Sequence, residues 1–517
     1  ANVTIDNCVN TGNVAVHALG TTYYGNLTEV NSGTIIRCQV NLPEQFQGTY
    51  AGGITGKNTA EGEIIDCVVS GTVIGSRMAG GITAENFGSI STLADVLTMN
   101  GDIQSENGCI GGVAGFNAGS VSASEVKVKL SGDTYRAGGI AGINRGTINA
   151  AKAEASILIS GGTGAAGGIA GESRGKITDC SFSGNVLITG TGVTGIGGII
   201  GLVSGEAVVS GCENNGKIEG SQNAGGIVGI VDVTDGPNNT SMENCVNHGA
   251  VYGKNASGVT GRISGMNNGT LLIRNCVNTA DLDGKSSVTG GIIGILDGKA
   301  NGGNITVNDC RNYGKPLNQN DKMQGILGET GDQGSGAFEA EKYLKISECI
   351  NVSDLENPVA SDSLRPGDYD NNYYFTQPAS FDGNTVSAVL SPYSGSNKNN
   401  AANVVDNDNR TRGIIQKSED SHIRLDFLDK DGNKTAIDTN SLRISWFREN
   451  DEKRTVKFTI TVEYEHGERV ELTPSGNGSA NYWTGEAAGN KDAGASIENC
   501  NEVSLESANG WKNEKIK

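Results

Sequence analysis

The chain has 517 residues, with 78 glycines, 8 prolines, 5% aromatic residues and a formal net charge of −19 at pH 7. Glycine without a triplet period excludes collagen, and at about 1 kcal/mol per helix-interior glycine it disfavours an all-helical fold. The acid excess repels phosphate backbones and anionic lipid, and no run approaches the roughly 20 apolar residues of a membrane span.

The hydrophobic content of 36% is interleaved along the chain, which argues against wholesale disorder. The first residues carry patterned sequence and no leader, so the chain reads as a segment of something longer.

From the start a glycine-pair motif recurs, as in Gly52-Gly53-Ile54-Thr55-Gly56, Gly111-Gly112-Val113-Ala114-Gly115 and Gly138-Gly139-Ile140-Ala141-Gly142. Further copies stand at Gly80, Gly167, Gly197, Gly225 and Gly290, with weaker ones at Ser257 and Gln324. Their spacing, about 27 to 34 residues, is that of one supersecondary unit per repeat. Each repeat reads as three short runs: Ile-x-Asp/Asn-Cys, a Val/Ile pair such as Val186 to Ile188, and the Gly-Gly-Ile-x-Gly run. Apolar residues alternate within the runs, which is strand periodicity, while glycine or asparagine punctuates the corners. A three-strand repeat cannot bury its own apolar side, so copies must stack. The expectation is a parallel β-helix of about ten or eleven coils, roughly 50 Å long at about 4.8 Å per coil.

Nine of the 11 cysteines (Cys8, Cys38, Cys67, Cys180, Cys212, Cys245, Cys276, Cys310 and Cys349) occupy one slot of the repeat. Leu93, Ser124 and Ala151 replace it in three coils, so the slot asks for a small buried side chain. A stacked thiol ladder is the expectation, with disulfides between coils geometrically permitted. The Asp or Asn before the cysteine is expected to cap a turn.

The repeat resembles the GLUG family of large bacterial surface proteins, which includes IgA-specific metallopeptidases. The resemblance covers about residues 1 to 375. It implies an exported, cell-surface or cell-wall-linked protein and no catalysis by the repeats. The His-Glu-x-x-His zinc motif is absent, since His17, His248, His422 and His466 are scattered.

Near residue 350 prolines arrive, and Tyr373-Tyr374-Phe375 is read as packing over the last coil or as a sugar platform. Residues 1–350 are thus assigned to the repeats, 351–383 to a cap and linker, and 384–517 to a second domain. Beyond 384, Ser421 to Phe427, Leu442 to Phe447, Val456 to Tyr464 and Arg469 to Leu472 alternate at period two, which suggests an antiparallel β-sandwich. The fold class expected is all-β, a parallel β-helix followed by a sandwich.

Ala402 to Arg412, Ile423 to Phe427 and Leu442 to Phe447 resemble segments of the discoidin-like family, also called coagulation-factor type C domains, which includes many carbohydrate-binding modules. Asn407 and Gly413 depart from its loop pattern. The resemblance implies a structural calcium ion near Asp406, Asp408, Thr411 and Glu514. A plain Asx-rich turn is the competing reading of that loop.

Tyr482, Trp483, Tyr393 and Trp511 have the flat apolar faces that pyranose rings stack on, with core packing as the alternative for each. Acid pairs such as Asp232 with Asp235, or Asp281 with Asp283, are read as solvated corner residues. The function expected is a non-catalytic stalk presenting a module for host or dietary glycan. The alternatives are a glycan-cleaving β-helix or an accessory region of an extracellular metallopeptidase.

Overall fold

The computed structural model describes residues 3–10, 23–42, 46–92, 97–161, 164–190, 195–233, 239–266, 269–285, 287, 289–297, 303–318, 323–331, 344–347 and 349–351. It also describes 373–375, 379–381, 384–391, 422–428, 434–444, 454–475, 482–487 and 501–517. The chain divides into two compact units, Ala1–Asp370 and Asn371–Lys517. All regular structure described is β, and no described helix is long and apolar enough to cross a membrane.

The first unit is a parallel β-solenoid. One representative coil runs through Phe46–Gly52, Thr55–Asn58, Glu63–Ile65 and the start of the long strand Val68–Gly80, which from Val73 onward pairs with Phe46–Gly52 as the next coil. One face is a 12-stranded parallel sheet and another an 11-stranded one, and a third face of longer strands completes each turn. The core follows from stacking identical slots. Ile35, Ile64, Ile90, Val121, Ile148 and Ile177 form one buried column, and Ile54, Ile82, Val113, Ile140, Ile169 and Ile199 another. Each isoleucine removed from water in this way contributes roughly 1.5–3 kcal/mol. Along Lys152–Ile159 burial alternates strictly, with Ala153, Ala155, Ile157 and Ile159 inside.

The Gly-Gly-Ile run is a corner, not the strand its alternation suggested. Ala51 and Gly52 end one strand, Gly53 and Ile54 bend, and Thr55 starts the next. Glycine is required because coils touch there: a Cβ on Gly168 would sit 2.1 Å from the Gly198 carbonyl oxygen and 2.2 Å from Phe182 Cγ.

The slot cysteines sit at a second corner. The residue before the slot is left-handed in nine coils with a non-glycine there, with φ between 50° and 57° at Asn7, Arg37, Asp66, Ala123, Ala150, Asp179, Asn244, Asn275 and Asp309. Asn and Asp tolerate that conformation, which costs other L-residues roughly 1–2 kcal/mol. The exposed Ala150 therefore carries strain. Ala150→Gly is expected to stabilise the protein by about 0.5–1 kcal/mol, read as a higher urea midpoint. Across the corner the thiol donates to the carbonyl two residues back, at 3.3 Å in Cys38, 3.3 Å in Cys67 and 3.1 Å in Cys180. The Ser124 hydroxyl makes the same contact at 3.5 Å. None of the ten described cysteines forms a disulfide. Burial pushes the Cys67 thiol up to about 12 and the Cys310 thiol upward as well. Leu93 lies outside the described residues.

A third device was not anticipated. Asn31, Asn58, Asn86, Asn117 and Asn144 stack in consecutive coils, each side-chain amide donating to the next amide oxygen at 2.8, 2.8, 2.7 and 2.8 Å. Ser173 ends this ladder and Val203 takes the next place. A second ladder then starts elsewhere in the coil, with Asn214, Asn247, Asn278 and Asn312 linked at 2.7, 2.8 and 2.8 Å. The slot it occupies is filled in earlier coils by Val69, Met99, Val126, Ala153 and Phe182. Amide and apolar columns thus exchange places between coils. The exchange also breaks the long face: Ser181–Ile188 is one strand, whereas its successor is Glu213–Asn214 and Lys217–Glu219. Gly216 N–H donates to Asn214 Oδ1 at 2.9 Å and closes the intervening turn.

The second unit is antiparallel. Asn384–Ser391 pairs with Tyr373–Phe375, Ala379–Phe381 and His422–Leu428. Ser441–Ile444 pairs with Asn501–Ser504, Arg454–Phe458 with Trp483–Ala487, and Ile460–Glu463 with Arg469–Leu472. The triplet Tyr373–Phe375 is therefore a strand of this unit. Val462, Tyr464, Leu472, Val503, Leu505, Ala508 and Ile516 form its core. The Tyr464 hydroxyl donates to the Gly510 carbonyl at 3.2 Å and accepts from Lys512 N–H at 3.0 Å.

Candidate functional site

Two of the sugar-stacking candidates are adjacent in sequence but face opposite ways. Trp483 pairs in register with Phe458, and the two rings stack at 6.2 Å and 20° against the core. Tyr482 lies outside that contact, with the Lys457 ammonium 4.5 Å from its ring centroid. Lys457 pairs with Thr484, so Tyr482 and Lys457 share the face away from Phe458. One sugar ring cannot stack on both aromatics. Trp511 also packs on the core, 6.2 Å from the Tyr464 ring. Tyr393 lies outside the described residues. Of the three described, Tyr482 alone lies off the core contacts that occupy Trp483 and Trp511.

Of the metal candidates, Asp406, Asp408 and Thr411 lie outside the described residues, as does the solenoid-like Ile497-Glu498-Asn499-Cys500. Glu514 is described, and its carboxylate is 3.0 Å from His466 Nδ1. His466 Nε2 meets Glu468 at 3.0 Å, and Lys512 Nζ meets Glu468 at 2.5 Å. The Lys512 hydrogen bond, with that of His466, holds the Glu468 carboxyl below its usual range. Glu514 is thus engaged in an ion-pair cluster that includes a lysine, an unfavourable neighbour for a cation. Among the described residues no group of three or more His, Cys, Asp or Glu side chains is arranged to hold a metal.

On the solenoid, the long strands Leu97–Ser105, Glu125–Gly132, Lys152–Ile159 and Ser181–Ile188 share a shallow, open depression of about 370 Å³. Asn100, Asp102, Lys127, Lys129, Glu154, Ser156 and Asn185 line it. Asp102, Lys129, Ser156 and Asn185 form one column in register, and Lys127 pairs with Glu154 at 3.1 Å. Two acids, two lysines and neutral hydrogen-bonding groups suit a hydroxyl-rich ligand. Sequence reading missed this place because its members come from four coils and no single coil is enriched in them. In the pair that sequence spacing offered at 281 and 283, both acids bond backbone: Asp281 Oδ1 accepts Lys315 N–H of the next coil at 2.9 Å and Asp283 Oδ1 accepts Lys285 N–H within its own turn at 2.8 Å. Asp235 lies outside the described residues.

The solenoid also holds a buried ion pair. Arg136 and Glu172, 7% and 8% exposed, meet at 2.7 Å through Nε and Oε2. Ser204 donates to Glu172 Oε1 at 2.6 Å, Arg174 lies 3.8 Å from the same oxygen, and Arg136 donates to the Tyr135 carbonyl at 2.8 Å. Burial alone would raise the Glu172 carboxyl, but the Ser204 hydroxyl and the two guanidiniums outweigh it and hold it low. Cys109, beside Arg136 in the register, is pushed up to about 11 by burial despite that arginine. Both carboxylate oxygens are committed, so the cluster braces the wall.

Residues 47–74 match the family model described as the GLUG motif. That stretch is one turn of the solenoid, since Gln47 pairs in register with Ile74 of the next coil. No curated protein and no solved structure matches the chain.

Proposed function

We propose that this chain is a non-catalytic part of a bacterial surface protein, extracellular or attached to the cell wall. In this reading the solenoid is a rigid stalk, and the second unit is a discoidin-like module for host or dietary glycan. The observation that carries it is the stacking of repeats in one register around the GLUG match, a repeat typical of extracellular bacterial proteins. Tyr482 beside Lys457 supports the glycan reading, since an accessible ring next to a hydrogen-bond donor is what a sugar needs.

The test is retention and cleavage, scored together, on a panel of mucin, host and plant glycans with and without calcium. The expected result is retention without cleavage, reduced on the order of tenfold by Tyr482→Ala, a loss equal to ~1.4 kcal/mol. Retention unchanged by that variant removes Tyr482 from the site, and a blank panel overturns the glycan reading. Glycan cleavage is the second reading, favoured by Asp102 and Glu154 on the walls of one depression. It is supported only if cleavage occurs and is abolished by Asp102→Asn or Glu154→Gln.

A further inference from the structure

The geometry points to a second binding surface, on the solenoid itself: a strip across its first coils that takes an acidic oligosaccharide. This inference stands independently of the second unit's role.

The strip is one unbroken run of ring and cation contacts. Arg77 stands 5.9 Å from the Tyr50 ring, Tyr50 lies 5.1 Å from Tyr23, and Lys57 is 5.4 Å from Tyr23 and 5.0 Å from Phe87. Phe87 lies 5.7 Å from Phe116, over which Arg145 stands at 5.7 Å. The run of contacts leads from Arg77 to Arg145 and crosses successive coils, in a chain with only 5% aromatic residues. Large rings there are partly accessible, and Phe87 is 37% exposed.

Charge supplies the second argument. The chain carries −19, yet this strip sets Lys57, Arg77 and Arg145 against one carboxylate, Glu85. Glu85 accepts from the Tyr23 hydroxyl at 2.7 Å and lies 4.0 Å from Lys57 Nζ. Among the described residues neither Arg77 nor Arg145 makes an ion pair, although acids are abundant along the chain. Flat rings interleaved with unneutralised guanidiniums match a ligand with apolar ring faces and spaced negative charges.

An acidic glycan has both properties. An acidic peptide would gain most by adding a strand. Here the backbone groups of neighbouring coils already bond one another, as in Phe87 N–H to Asn58 oxygen at 2.8 Å and Arg145 N–H to Asn117 oxygen at 2.7 Å. A nucleic acid, with one charge per nucleotide, is opposed by the net −19 and by Glu85 in the middle of the strip.

The test uses the full chain with size-defined polygalacturonate and chondroitin sulfate oligosaccharides, with dextran as the neutral control. Polyglutamate and single-stranded DNA serve as competing polyanions. Dissociation constants are measured at fixed salt by calorimetry. Binding of an acidic oligosaccharide is expected, weakened on the order of tenfold in the Arg77→Gln/Arg145→Gln double variant. Phe87→Ala is expected to weaken it about threefold. Both changes are at exposed positions and leave the fold intact, which the urea midpoint verifies. Tyr482→Ala leaves this binding unchanged, which separates the strip from the second unit. The inference is overturned if neither acidic oligosaccharide binds or if the double variant binds them equally. Tighter binding of dextran, polyglutamate or DNA overturns it as well.

Discussion

Replacing Asn117 by leucine is expected to cost the solenoid about 2–6 kcal/mol, a large part of any domain's stability. Asn117 is fully buried, accepts from Asn86 and donates to Asn144. Leucine fills the volume but offers neither group, so two neighbouring amides lose a partner where water cannot replace it. Each such lost bond costs about 1–3 kcal/mol, most for Asn144 Oδ1, since Asn86 keeps its bonds to the Gly88 and Ser120 carbonyls. The loss should be read as a lower urea midpoint and as faster amide exchange in the coils on either side, because contacts run only between neighbours. The exposed Ala118→Ser in the same corner is the control, with a change within about 0.5 kcal/mol. A leucine variant as stable as the control would mean that the amide ladder contributes nothing.

Arg136→Ala is expected to cost about 3–5 kcal/mol at neutral pH, because Glu172 would remain buried without its main countercharge. The effect depends on pH with a definite sign. The folded Glu172 carboxyl titrates below its unfolded value, so its contribution is complete above about pH 4.3 and is lost as pH falls through the folded value. In Arg136→Ala burial is less opposed, the carboxyl rises, and this acid-side loss shrinks. The gap between parent and variant is therefore expected to narrow between pH 7 and pH 4, checked by urea midpoints at both. Replacing the pair together, Arg136→Met with Glu172→Leu, is expected to recover most of the stability. A gap that widens on acidification would contradict the assignment.

The solenoid was legible because its signal repeats: glycine pairs, slot cysteines and β-branched residues recur at one spacing, and only stacking buries them. Corners were harder. Gly-Gly-Ile has strand-like alternation, yet Gly53 and Ile54 bend, because close approach of the next coil's carbonyl overrides the pattern. The turn role of the residue before the cysteine was readable from Asp and Asn, and the structure extends it to Arg37, Ala123 and Ala150. The asparagine ladders were visible only as corner residues, since an amide-to-amide bond depends on inter-coil register. The same limit hid the aromatic strip and the polar depression, whose members lie about 30 residues apart.

In the second unit, period-two alternation located His422–Leu428 and Arg469–Leu472 correctly. It did not reveal that Tyr482 and Trp483 part company across one strand. Glu514 likewise pairs with His466, a contact between residues 48 apart that no local motif encodes.

The most direct measurement is the thiol reactivity of the native full chain at pH 8, followed by mass spectrometry of each cysteine. The stacked register predicts that Cys8, half-exposed, reacts readily. Cys38, Cys67, Cys180, Cys212, Cys245, Cys276 and Cys310 are expected to react only after denaturation, each as a free thiol. Rapid native labelling of Cys245 or Cys276, or a disulfide between any two of these slots, would contradict the solenoid register described above.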